Sequence, residues 1–124
     1  MSIYGYIRLN NHRATPKNLS LRVQARIIRK WAEEQGLEIK KIFRDIASNS
    51  ASLELPNLKK LISLIEQGKV SVLVVARLDR LTRKIRLHHQ LLKLFEENKI
   101  RFVSLAENLD SKTKSGKKVL EAIE

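Results

Sequence analysis

Short apolar runs alternate along this chain with stretches whose apolar residues return every three to four positions. Ile3 to Leu9 reads as a first strand, with Gly5 permitting close packing. Asn10 to Leu19 is a polar loop carrying Pro16, and Ser20 is placed to cap a helix running to about Gln35. Leu21, Gln24, Ala25, Ile28, Trp31 and Ala32 fall on one face of that helix, and Gly36 closes it. Glu38 to Arg44 predicts a second strand, followed by a small-residue loop from Asp45 to Leu55. Pro56 opens a helix with Leu58, Leu61, Ile62 and Ile65 on its face, and Gly68 ends it. Val70 to Arg77 is the third strand, apolar throughout Val72 to Ala76, as befits a strand covered on both faces. A helix from about Arg83 to Asn98 buries Leu87, Leu91, Leu94 and Phe95 or their neighbours. Ile100 to Leu105 is a fourth strand, Ser104 to Ser115 a polar loop, and Ser115-Gly116 the start of a last helix. This alternation predicts an α/β fold, a mostly parallel four- to five-stranded sheet with helices on both faces.

Composition narrows the function more than the fold. The 124 residues suffice for one domain with a core, and 5% aromatic content makes that core mainly aliphatic. Lys+Arg outnumber Asp+Glu by 25 to 13, a formal net charge of +12. Such a surplus points to nucleic acid ahead of an anionic membrane surface, and exceeds what solubility needs. There is no cysteine, so neither a disulfide framework nor a thiolate zinc site is expected, in keeping with a cytoplasmic protein. The N-terminal apolar stretch is too short for a signal peptide, and no run approaches the ~20 residues of a membrane span.

In an open α/β sheet, ligands bind outside the carboxyl ends of the strands. There the first strand delivers Arg8 and Asn10, the second Asp45 and Ser48, the third Asp79, Arg80 and Arg83, and the fourth leads to Glu107 and Asp110. Single arginines at strand ends are often solvated, but the segment Arg77-Leu78-Asp79-Arg80-Leu81-Thr82-Arg83 concentrates three of them beside one aspartate. Arginine's planar fork suits phosphate oxygens. A cleft lined by Arg8, Arg80 and Arg83, with carboxylates orienting the guanidiniums, favours a phosphodiester, whose transition state gathers charge on oxygen. No glycine-rich phosphate loop is present, which disfavours P-loop and Rossmann nucleotide enzymes. His12, His88 and His89 lack ligand spacing. Asp45, Asp79 and Asp110 could suggest a magnesium nuclease, but arginines would compete for the carboxylates such a metal needs.

These motifs together resemble the catalytic domain of the serine recombinases, the resolvase/invertase family, over essentially the whole chain. Tyr4-Gly5-Tyr6-Ile7-Arg8-Leu9 resembles the family's first-strand motif, and Ser20-Leu21-Arg22-Val23-Gln24 its serine-leucine-x-x-glutamine helix start. Asp45-Ile46-Ala47-Ser48, Pro56-Asn57-Leu58, Leu78-Asp79-Arg80-Leu81-Thr82-Arg83 and Glu107-Asn108-Leu109-Asp110 resemble four further blocks in order. The long segment between position 10 and Gln24 is similar to the large-serine and transposon-associated branch. The resemblance implies attack by a serine on a DNA phosphodiester, a 5′-phosphoserine link, and arginine stabilisation of the transition state without metal or cofactor. Position by position, it implies catalytic roles for Arg8, Gln24, Asp79, Arg80 and Arg83. It likewise implies that Arg8, Arg80 and Arg83 bind DNA phosphate and that Tyr6, Asp45 and Ser48 support them.

Two positions depart from the family pattern. Asn10 stands at the nucleophile position, and an amide has no hydroxyl to deprotonate. Leu55 stands where the family has an arginine before Pro56. Ser48, Ser50 and Thr15 are conceivable substitute nucleophiles, each better explained by loop polarity or capping. The reading is therefore a single resolvase-like catalytic domain over 1–124, ending within the start of a long C-terminal helix, without a DNA-reading domain and cleavage-incompetent. Its partners would be DNA and, in a full-length context, further copies as a homodimer or higher oligomer, with weak or no association in the shorter chain. A non-catalytic DNA-binding or recombinase-regulating module is the alternative, and a metal-dependent nuclease the weaker one.

Overall fold

The computed structural model describes residues 2–10, 20–47, 55–77, 85–114 and 116–118. Its elements in chain order are β1 (Ile3–Asn10), α1 (Leu21–Glu34), β2 (Ile39–Ala47), α2 (Pro56–Glu66), β3 (Val72–Val75), α3 (Ile85–Glu97), β4 (Arg101–Ser104) and β5 (Leu109–Asp110). The strands form one sheet in the order β2-β1-β3-β4-β5, parallel except for the antiparallel β4–β5 pair. The predicted α/β sheet with helices on both faces is the fold observed.

Two apolar layers hold it. On one face Ile28 of α1, with Leu21, Ala25 and Trp31 partly buried, packs on Ile3, Ile7, Val72, Val74 and Val103. On the other, Leu58, Leu61 and Ile65 of α2 and Leu91, Leu92 and Phe95 of α3 pack on Tyr4, Tyr6, Phe43, Leu73, Val75 and Phe102. Gly5 sits under α1, where a Cβ would come within 3.1 Å of Ile42 and 3.3 Å of Ile28, so any larger residue would press those side chains aside by a few tenths of an ångström. Ser20 caps α1, its Oγ accepting from the Val23 N–H at 3.2 Å. Helices α1 and α2 close through Gly36 (φ 68°) and Gly68 (φ 74°). Helix α3 ends the same way with Lys99 (φ 55°), where no glycine marks the turn.

Two expectations are corrected. Strand β2 runs on through Asp45, Ile46 and Ala47, which were expected in the loop, because Arg8, Leu9 and Asn10 pair with them. Asp110, expected among the carboxylates at the strand ends, is engaged by Arg101 at the start of β4. The turn at Asn108 (φ 55°) folds β5 back along β4, and Asp110 takes Arg101 in a two-pronged pair, Nε to Oδ1 at 3.0 Å and Nη2 to Oδ2 at 2.7 Å. The Arg101 guanidinium lies 5.6 Å from the Trp31 ring centroid, so this pair also fastens β5 toward α1.

Burial pushes the Asp110 carboxyl up, but hydrogen bonds from Arg101 and the Lys112 N–H, with the charges of Arg101 and Lys112, outweigh it and leave the pKa lowered. A depressed folded value gives stability that is present above the ordinary carboxylate range and is lost as pH falls through the folded value. Asp110→Asn should therefore cost about 1 kcal/mol near neutrality, a difference that narrows as pH falls below the ordinary carboxylate value of 3.8, measured by urea unfolding across pH.

Candidate active site

The carboxyl edge of the sheet is shaped by a mismatch in strand length. The last β1–β3 pair is Tyr6 with Val75, yet β1 continues to Asn10 beside β2. Beyond Val75 the chain turns toward β4, where the Leu105 and Ala106 N–H groups bond the Val75 and Ala76 carbonyls. The Ser2 carbonyl accepts from the Val72 N–H, so alternate residues of β1, counting from Ser2, aim their backbone groups at β3. Arg8 is the first of these past the end of β3.

Gln24 of α1 fills the gap. Its Oε1 accepts from the Arg8 N–H at 3.2 Å, and its Nε2 donates to the Arg8 carbonyl at 2.9 Å. The side-chain amide supplies the acceptor and the donor that two residues of a longer β3 would have offered. Gln24 and Arg8 are both fully buried, which explains why a glutamine interrupts the apolar stripe of α1.

On the opposite face Asp45, the register neighbour of Arg8, gathers three donors. Its Oδ2 accepts from the Tyr6 hydroxyl at 2.9 Å and the Leu58 N–H at 2.8 Å, and its Oδ1 from the Asn57 N–H at 3.0 Å. Leu55 is the N-cap of α2 and makes no side-chain cap bond, so a carboxylate from another strand satisfies the first turn. Leu55 itself packs against the α2–α3 side of the core. Burial, then the charge of Asp45 and its hydrogen bond, push the Tyr6 phenol above its ordinary value, while the charge of Arg8 pulls the other way. Tyr6 is thus held protonated as a donor.

The structure brings together Tyr6, Arg8, Gln24 and Asp45, and places Asn10 as the final residue of β1, paired with Ala47. Asp79, Arg80, Arg83 and Ser48 lie outside the described residues, as do Ser50, Thr15 and His12. The Ser104 hydroxyl at the end of β4 donates to Glu107, tying that carboxylate down beside its own strand. His88 is buried and His89 exposed. Among the described residues no three His, Asp or Glu side chains gather closely enough to hold a metal ion, and no helix is long and apolar enough to cross a membrane.

Two substitutions test this edge. Gln24→Leu, which removes both bonds to Arg8, should lower unfolding stability by about 2–4 kcal/mol in denaturant melts. The raised Tyr6 value means that its contribution is full below pH 10.0 and is lost as pH rises past it. Tyr6→Phe should accordingly cost about 1 kcal/mol near pH 8, with the gap narrowing above about pH 10.

Comparison with known proteins places this edge in context. The family described as Resolvase, N terminal domain matches residues 3–124. The chain is 30% identical over 115 residues to the transposon Tn917 resolvase of Enterococcus faecalis, and 32% identical over 115 residues to a DNA-invertase of Escherichia phage P1. Each alignment covers 93% of the chain but only 55% and 54% of the relative, so the chain spans about half the length of these curated relatives. Among solved structures, the N-terminal catalytic domain of TP901-1 integrase superposes with a TM-score of 0.86 at 28% identity, covering 99% of this chain and 91% of that one. A resolvase family site-specific recombinase from Streptococcus pneumoniae shares the fold with a TM-score of 0.76 at 22% identity, covering 99% and 85%.

Proposed function

The chain belongs to the resolvase N-terminal domain family, the catalytic domains of site-specific serine recombinases, and from that premise we propose that its 124 residues form one such domain that grips DNA phosphate but does not cut it. The observation that carries this reading is Asn10 at the last position of β1, next to the Arg8 backbone that Gln24 holds. In the proposed chemistry a serine Oγ at position 10 would attack phosphorus, forming the Oγ–P bond as the P–O3′ bond breaks. The serine proton would be released and the 3′ oxygen would leave as a hydroxyl. Asn10 offers no such oxygen nucleophile. Arg8, Arg80 and Arg83 would hold the phosphate, Asp79 would orient them, and Tyr6, Asp45 and Ser48 would support the edge. Gln24 would act through the Arg8 backbone. Assembly as a homodimer or higher oligomer belongs to the same reading, as does a cytoplasmic location.

Asn10 also favours a second reading, a non-catalytic module that binds DNA or regulates a recombinase partner. A strand-cleavage trap with nicked DNA tests both. No covalent protein–DNA adduct should form with the parent chain, whereas Asn10→Ser combined with Leu55→Arg should form one that survives EDTA. An adduct in the parent would overturn the inactive reading. Magnesium-dependent cleavage abolished by EDTA would favour a metal nuclease. No adduct in the double variant, with DNA binding intact, would favour the regulatory module.

A further inference from the structure

We propose that the outer face of α1 is a second phosphate-binding surface, a track for the DNA backbone leaving the cleft; this rests on the DNA reading above. Arg22, Arg26 and Arg29 are all exposed and follow each other at helical spacing, with Lys30 exposed beside them. The first acid on the helix is Glu33, in its last turn. Helices α2 and α3 differ: their exposed positions mix Lys59 and Lys60 with Ser63 and Glu66, and Lys93 with Gln90, Glu96 and Glu97.

The first half of the helix gains nothing from this arrangement; only Arg29 and Lys30 have an acid one turn on, at Glu33 and Glu34. The first turn of α1 holds no acidic residue and places Arg22 against the positive end of the helix dipole. Arg22 and Arg26 repel at i,i+4, as do Arg26 and Lys30. Cations kept where they oppose the helix are accounted for by an anion outside it. The choice of arginine fits phosphate, which its fork can grip with two parallel bonds.

The position of the stripe favours DNA over other polyanions. Helix α1 starts at the carboxyl edge of the sheet, where Gln24 reaches Arg8, so Arg22 lies near that edge on the outer face and Arg29 leads away from it. Seven residues of helix span about 10 Å, the rise of about three nucleotides along one strand. Arg44 continues the charge: it is exposed on the edge strand β2, two residues beyond Ile42, which packs on the α1 side of the sheet.

The test compares two variants of equal charge by fluorescence anisotropy on duplex DNA across a salt series. Arg22, Arg26 and Arg29 become glutamine in one. In the other Lys69, Lys93 and Lys99 do, exposed residues of which Lys69 and Lys99 precede β3 and β4 at the opposite sheet edge. The arginine variant should lose about 2–3 from the slope of log affinity against log salt and bind on the order of a hundredfold more weakly at ~0.1 M salt. The lysine variant should change the slope by less than about one. Glutamine matches arginine in helix propensity and relieves the repulsion, so the arginine variant should melt no lower than the parent. Equal losses in the two variants would reduce the effect to net charge and overturn the track, as would an unchanged arginine variant beside a salt-sensitive parent. A parent whose DNA binding is absent or flat in salt would overturn the DNA reading itself. Tighter arginine-dependent binding to anionic phospholipid vesicles than to DNA would reassign the surface to a membrane.

Discussion

The unequal lengths of two neighbouring strands govern this molecule. Strand β1 outruns β3 and must carry its backbone groups past the end of the sheet on that side. A buried peptide group without a partner costs about 1–3 kcal/mol, enough to fray the strand in a domain of ordinary stability. Gln24 answers with one side-chain amide that donates and accepts as a backbone peptide does. Because Gln24 comes from α1, the last residues of β1 are held by a helix as well as by β2. The extension is where Arg8 and Asn10 sit, so the candidate site depends on this one substitution of side chain for strand.

Asp45 performs the matching task on the other face. Its carboxylate joins a strand neighbour, through the Tyr6 hydroxyl, to the first turn of α2, through two backbone N–H groups. Bonds from amides to a carboxylate at a helix N-terminus are charge-assisted and gain from the dipole, unlike a fully solvated surface pair. Leu55 frees the cap position for apolar packing because the cap function has moved to β2. Gln24 and Asp45 thus fix the end of β1 from opposite faces, one through its backbone and the other at its edge.

What could be read from the sequence follows from where the information is local. Ser20, Pro56, Gly36 and Gly68 are caps and stops that act on their own helices, and they marked α1 and α2 correctly to within a residue or two. The burial of Gln24 was visible in its position on the α1 stripe, but not its partner, since Arg8 lies 16 residues away in sequence. The end of β2 was misplaced because Asp45 and Ala47 are poor strand formers, and only pairing with β1 holds them extended. Asp110 was misread for a related reason. A two-residue strand has no period to detect, and the left-handed turn at Asn108 that reverses it carries no glycine.

The same division bears on the substitution at position 10. The bonds described at the end of β1 run through the Arg8 backbone, the Asp45 carboxylate and the register with Ala47. Whatever occupies position 10 inherits a backbone placed by Gln24 and by the β2 pairing. A nucleophile can, on the proposed reading, be lost at position 10 while the Arg8 backbone and the β2 pairing still hold the edge. On the proposed reading this is why an intact resolvase fold can coexist with absent chemistry. It is also why a hydroxyl returned to position 10 would meet a backbone already in place, leaving the missing cation at Leu55 as the remaining deficit.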